Sequence, residues 1–182
     1  MKKLLFILLV SLITVSVGFA QISKASLQAS GLTCAMCSRS ILENLESLPF
    51  VKSVDTDLNA SIFLISFKKD AEVDVDLLNK KVEDAGFSVA ALRVTANFSN
   101  APVQDDSHVM IGSKIFHFVN VGSRILNKNV ELTIIDQKFI ANKEFKRFTT
   151  LTQLSCIKTG KAETCCNPYS VTTGTRIYHV TI

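Results

Sequence analysis

Several features are missing from this chain of 182 residues, and each absence closes off a class of protein. Beyond residue 20 no apolar run reaches membrane length, so no spanning helix is expected in the remainder. Low-complexity tracts are absent, and the formal net charge is only +4. The second half is mildly basic, but Lys114, Arg124, Lys128, Lys138, Lys146 and Arg176 are scattered, whereas a nucleic-acid footprint needs a clustered stripe. No glycine-rich phosphate loop, nucleophile–base pair or paired-carboxylate arrangement is legible, so an enzyme is not expected. Asp74, Asp76, Asp105 and Asp106 read as helix-start and linker charges. His108, His117 and His179 lack ligand-like spacing and read as surface or internally satisfied side chains. On a strand, His117 should project opposite to Phe116 and Phe118.

The first twenty residues carry the pattern of an export signal. Lys2 and Lys3 precede an apolar stretch from Leu4 to Ala20, with the small residues Gly18 and Ala20 just before Gln21. Ser11, Thr14, Ser16 and Gly18 dilute its apolarity, which favours a cleaved signal over a retained N-terminal anchor. No cysteine follows, which argues against a lipid anchor. Residues 1–20 are therefore expected to be a cleaved signal peptide. The mature protein is expected to be exported to the periplasm, peripheral to a membrane at most, with no nucleic-acid partner.

Hydrophobic period organises the chain from residue 22 onward. Ser23–Ser30 alternates, with Leu27 and Ala29 on one face. Ile41, Leu42, Leu45 and Leu48 fall on one face of a helix that ends before Pro49. Val54, Thr56 and Leu58 alternate with Asp55 and Asp57, Asn59-Ala60 suits a turn, and Ile62–Phe67 is an apolar strand. Val75, Leu78, Val82 and Ala85 recur at helical spacing, with Asp74 and Asp76 at the start and Gly86 past the end. Phe87–Val94 supplies a last strand. The order β-α-β-β-α-β is the ferredoxin-like split arrangement, assigned to residues 22–95.

Residues 96–107 read as a polar linker, and 108–182 as a second, β-rich domain. Its strand candidates are 115–119, 130–135, 139–140 and 177–182, with one helical turn near Asn142–Phe148. The fold class is thus α+β, a ferredoxin-like domain followed by a small barrel or sandwich.

Cys34 and Cys37 stand three positions apart at the entrance to the first helix. Thiolates are soft ligands that favour Cu(I), Zn(II) and similar ions. Two of them make half of a tetrahedral zinc cage, yet they suffice for Cu(I) or Hg(II). Such an open site can also release its ion, which points to a carrier. Unpaired N–H groups at the helix start lower the pKa of Cys37, and the more exposed Cys34 suits the first exchange with a donor. Exposure or packing is the expected role of Met36, ahead of service as a third ligand. The same pair also admits a thiol–disulfide redox motif or a plain disulfide.

These residues carry a family resemblance. Gly31-Leu32-Thr33-Cys34-Ala35-Met36-Cys37, the Ile41…Leu45 helix, Pro49–Val54 and Glu83-Asp84-Ala85-Gly86-Phe87 resemble the heavy-metal-associated domain. That family includes copper chaperones, copper-ATPase modules and a periplasmic mercury-binding protein. The resemblance spans about residues 22–94. It implies a ferredoxin-like fold with Cys34 and Cys37 as paired ligands for Cu(I) first, with Hg(II), Zn(II) or Cd(II) as other occupants. It also implies a metal-transporting membrane protein or another metal-binding domain as partner. In this chain Leu32 stands where many members have Met, and Phe50 where many have Gly. Phe87 is expected to shield the thiolates without ligating.

Cys156, Cys165 and Cys166 bring the cysteine count to five, an odd number. In an oxidising compartment one thiol is then left over. The favoured reading is one disulfide across a hairpin, from Cys156 to Cys165 or Cys166, since the compartment drives pairing and a vicinal bond is strained. A second soft-metal site with three thiolates is the alternative. A β-rich half acting as an adaptor on a transporter, with the first domain sensing metal, is a further functional alternative.

Overall fold

A computed structural model describes residues 20–32, 35–169 and 171–182. Its first six elements keep the expected order. β1 (Gln21–Ser30), α1 (Ala35–Glu46), β2 (Val51–Asp57), β3 (Ile62–Phe67), α2 (Val75–Asp84) and β4 (Ser88–Val103) form a ferredoxin-like unit. Its strand order is β2-β3-β1-β4, all antiparallel.

Local chemistry explains these elements. Ala25, Leu27 and Ala29 are the buried alternates of β1, and they pack beneath Ile41 and Leu45 of α1 and Leu78 and Val82 of α2. Asp74 caps α2, accepting hydrogen bonds from the N–H groups of Asp76 and Leu77 at 3.0 and 3.3 Å. Asp57 accepts from the N–H groups of Asn59 and Ala60, which builds the predicted turn. That turn closes β2 one residue earlier than the alternation suggested, and Leu58 is left exposed. Phe50 packs on Phe67 with ring centroids 5.9 Å apart, so the departure from glycine is absorbed by the core.

The second half departs from expectation. β5 (His108–Ile111), β6 (Lys114–Phe118), β7 (Arg124–Ile134) and β8 (Ile177–Thr181) join the same sheet, in the order β2-β3-β1-β4-β7-β8-β6-β5. The chain has one eight-stranded sheet in place of a separate barrel or sandwich. The expected linker, 96–107, is strand as far as Val103, because β4 pairs with β7 from Arg93 to Val103. Asparagines made this stretch look like a loop, but they work across the ladder. Asn97 bonds Asn129 at 3.0 Å, and the Asn127 amide oxygen accepts from the N–H of Asn100 at 2.8 Å, at a bulge. The main apolar core runs from Leu27 and Phe63 through Leu92 to Phe116, Leu132 and Val180, with two smaller clusters around Cys156 and around Ile135.

Phe139 and Ile140, expected in a strand, are buried in a turn. α3 (Asn142–Phe148) matches the expected helical turn, and α4 (Cys156–Thr159) and a 3-10 helix (Thr164–Tyr169) complete the chain. At the far edge, the Gly112 N–H donates to the carbonyl of Ala20 at 2.6 Å, tying the β5–β6 hairpin back to the start of β1.

Arg176 holds the two halves together. Its guanidinium meets Asp76 of α2 at 2.8 Å and Asp136 at 3.1 Å, and lies 4.2 Å over the Tyr178 ring. It also crowds Gly160, where an added Cβ would fall 2.8 Å from it. Breaking a buried pair from one side costs about 3–5 kcal/mol. With Arg176 30% exposed, solvent screening brings the expected loss for Arg176→Met to about 2 kcal/mol. Burial opposes ionisation of Asp76, but the hydrogen bond and charge of Arg176 prevail and hold its carboxyl below the ordinary range. A lowered carboxyl stabilises the fold above the unfolded aspartate value of about 3.9 and loses that contribution as pH falls through the folded value. Urea midpoints should therefore show the deficit of Arg176→Met at pH 7 and a shrinking deficit below about pH 4.

Candidate metal centres

α1 begins at Ala35, which puts Cys37 in its first turn as expected. Cys34 lies outside the described residues. Cys37 is disulfide-bonded and offers a thiolate only once reduced. Around the loop, Leu32 and Phe87 pack partly buried against the core. The Phe87 ring comes within 4.0 Å of where a Cβ on Gly31 would lie. Gly31 has φ +82°, a conformation that glycine adopts without strain. Met36 is 79% exposed. The strand ends that carry the loop are pinned by Ser30 and Ser88, whose hydroxyls lie 2.6 Å apart.

The C-terminal cysteines are not disulfide-bonded. Cys156, Cys165 and Cys166 are all free thiols, which replaces the hairpin disulfide expected from compartment and spacing. No hairpin joins them: Cys156 opens α4, and Cys165 and Cys166 sit on the 3-10 helix. The sulfurs of Cys165 and Cys166 are 3.6 Å apart. Burial, followed by the neighbouring Cys166 and Cys165, pushes the Cys156 thiol well above its ordinary value. For Cys165 burial is the largest single influence and raises the thiol, but the hydrogen bonds from Ser155, the backbone of Cys156 and Cys166 together outweigh it and lower it.

The histidines are not dispersed in space. Strand register sets His108 opposite His117, and His117 opposite His179, across β5, β6 and β8. His108 and His117 stack with centroids 4.7 Å apart, and His179 meets His117 edge-on at 5.1 Å. His117 and His179 are wholly buried. His117 Nε2 lies 2.9 Å from Asp106, which also accepts from Thr152 at 2.5 Å. His179 Nδ1 lies 2.6 Å from Asp136. Burial and the adjacent His179 pull His117 down to about 4, so its ring is neutral at pH 7. Cys156 Sγ sits 3.8 Å from His117 Nδ1. Sequence separation concealed this cluster; strand pairing alone reveals it.

The first six elements form a split βαββαβ unit whose first loop enters a helix carrying cysteine. Residues 26–88 match the heavy-metal-associated domain family, and that stretch of the chain is such a domain. The match ends at residue 88, leaving the rest of the sheet outside it.

Among solved structures, the CopZ metallochaperone is 25% identical, covering 37% of this chain and 100% of that one, with a TM-score of 0.35. The yeast copper transporter domain Ccc2a, solved in the apo and Cu(I)-loaded states, is 28% identical over 36% of this chain and 88% of its own, with a TM-score of 0.33. The N-terminal domain of a potential copper-translocating P-type ATPase from Bacillus subtilis is 22% identical over 38% and 85%, with a TM-score of 0.34. No curated protein sequence matches.

Proposed function

We propose that the protein is an exported carrier that binds a thiophilic ion, Cu(I) first, through Cys34 and Cys37 and passes it to a membrane transporter or another metal-binding domain. The observation that carries this reading is the heavy-metal-associated match over residues 26–88, which contains both cysteines and sets Cys37 in the first turn of α1. Unpaired N–H groups there favour the thiolate. Two ligands leave the ion open to a third from a partner, so transfer proceeds by exchanging one thiolate at a time. Hg(II), Zn(II) and Cd(II) also bind thiolates and are rival occupants. The role is binding and delivery, without catalysis, and the apolar segment before Gln21 supports export to the periplasm.

Cu(I) titration of the reduced full-length chain against a chromogenic chelator tests this. Cys34→Ser/Cys37→Ser should bind one equivalent less than the wild type. Equal stoichiometry in the two proteins would refute the assignment.

One observation favours a second reading. Cys37 is disulfide-bonded, as a thiol–disulfide module would be in its oxidised state. That reading requires activity in a disulfide-reduction assay, which a carrier lacks.

A further inference from the structure

We propose a second metal site in the C-terminal half, a buried centre in which His117 Nδ1, His179 Nε2 and Cys156 Sγ ligate one d10 ion, Cu(I) or Zn(II). One ligand atom from each of these residues lies within 4.8 Å of the other two, and all three residues are wholly buried. Cys166 belongs to an adjoining group with the same Cys156 sulfur and His108, which sets a fourth donor beside the first three.

Three features point to an ion rather than to packing alone. The first is orientation. Each histidine turns one nitrogen to a carboxylate, His117 Nε2 to Asp106 at 2.9 Å and His179 Nδ1 to Asp136 at 2.6 Å. A neutral ring that donates from one nitrogen presents a lone pair on the other. The His117 lone pair is thereby set toward Cys156 and the His179 lone pair is left free for an ion, the carboxylate–histidine–metal arrangement that fixes ligand geometry.

The second is an unmet demand. A Cys156 S–H can serve His117 Nδ1 at 3.8 Å, yet His179 Nε2 has no hydrogen-bond partner among the described residues. A buried acceptor without a partner is costly. A purely structural network therefore leaves this atom unexplained, and an ion accounts for it.

The third is the donor set. Two imidazole nitrogens and a thiolate suit borderline and soft ions and provide none of the oxygens that Mg(II) or Ca(II) require. A 3.8 Å separation of sulfur and nitrogen is compatible with both at about 2.3 and 2.1 Å from a common ion. Cys165, half-buried and 3.6 Å from the Cys166 sulfur, gives a route inward by thiolate exchange. The site does not depend on Cys34 or Cys37.

The full-length Cys34→Ser/Cys37→Ser chain, reduced and folded by circular dichroism, is titrated separately with Cu(I) and Zn(II) against competing chelators. Its loaded form is then studied by X-ray absorption. One equivalent of either ion in a mixed shell of about two nitrogens and at least one sulfur is expected. Cys156→Ser should abolish it. Asp106→Asn, a change at a positioning residue, should weaken affinity about 10–100-fold, where a merely structural role would lower the melting temperature of the metal-free protein and leave affinity alone. A folded chain that takes up neither ion overturns the proposal, as does a shell of sulfur only, which would mean binding by the cysteines without the histidines. The shell is read on the parent chain, so it decides even if Cys156→Ser fails to fold.

Discussion

A fragment comprising residues 99–182 should be unfolded. Most of β7's pairing lies with the part of β4 that such a cut removes, from Arg93 opposite Thr133 to Phe98 opposite Lys128. Of its pairs with β4, only those at 101–103 would remain. Leu132 and Ile134, now wholly buried, would be uncovered on a strand that keeps β8 at Thr133 and Ile134 but has lost most of its β4 partner. The apolar core that Phe116, Tyr178 and Val180 share with Leu92 and Val94 would lose one wall. Circular dichroism and amide exchange on the fragment would decide the matter. A cooperative melt with protected amides would mean that the second half is an independent domain after all. The adaptor alternative, in which this half binds a partner alone, requires that outcome.

Phe116→Ala should destabilise the whole chain by about 3–5 kcal/mol. Phe116 lies at the centre of β6, is wholly buried, and packs with its ring centroid 5.3 Å from that of Tyr178. The cavity left behind is walled by sheet on both flanks, so relaxation offsets little of the loss. For a chain of this length the melting temperature should fall by roughly 10 °C or more. Because one core joins both halves, the transition should stay single, and signals from α1 should be lost together with those from β8. Two separated transitions, with α1 melting at its wild-type temperature, would show that the halves are energetically independent.

Legibility in the sequence tracked the range of the interactions. In the first half the helix face Ile41–Leu45, the alternation of β1, the Asp74 cap and the glycine at 86 are set by neighbours a few residues away. Each of these matches the structure. The Cys-x-x-Cys pair needed no tertiary information to notice, since its two residues stand three positions apart.

The second half gave weaker signals. Asn97 and Asn100 read as linker because asparagine favours turns, and only their bonds to Asn129 and Asn127 across β4 and β7 make the stretch strand. His108 and His117 are nine positions apart and His179 far beyond them, so no local period could join them; register across three strands does. The three C-terminal cysteines were read as a disulfide from their spacing and expected compartment. Their placement on two short helices gives free thiols instead.

The sequence by itself determined the ferredoxin-like unit, and it carries the cysteine pair on which the proposed soft-ion binding rests. Periodicity, capping and thiolate softness are properties of residues and their near neighbours. The tertiary structure alone decided that the sheet continues past residue 95 into one core. It also decided that three separated histidines converge on Cys156. Strand register and the choice of strand partner arise from contacts between distant segments, and no window along the chain contains them.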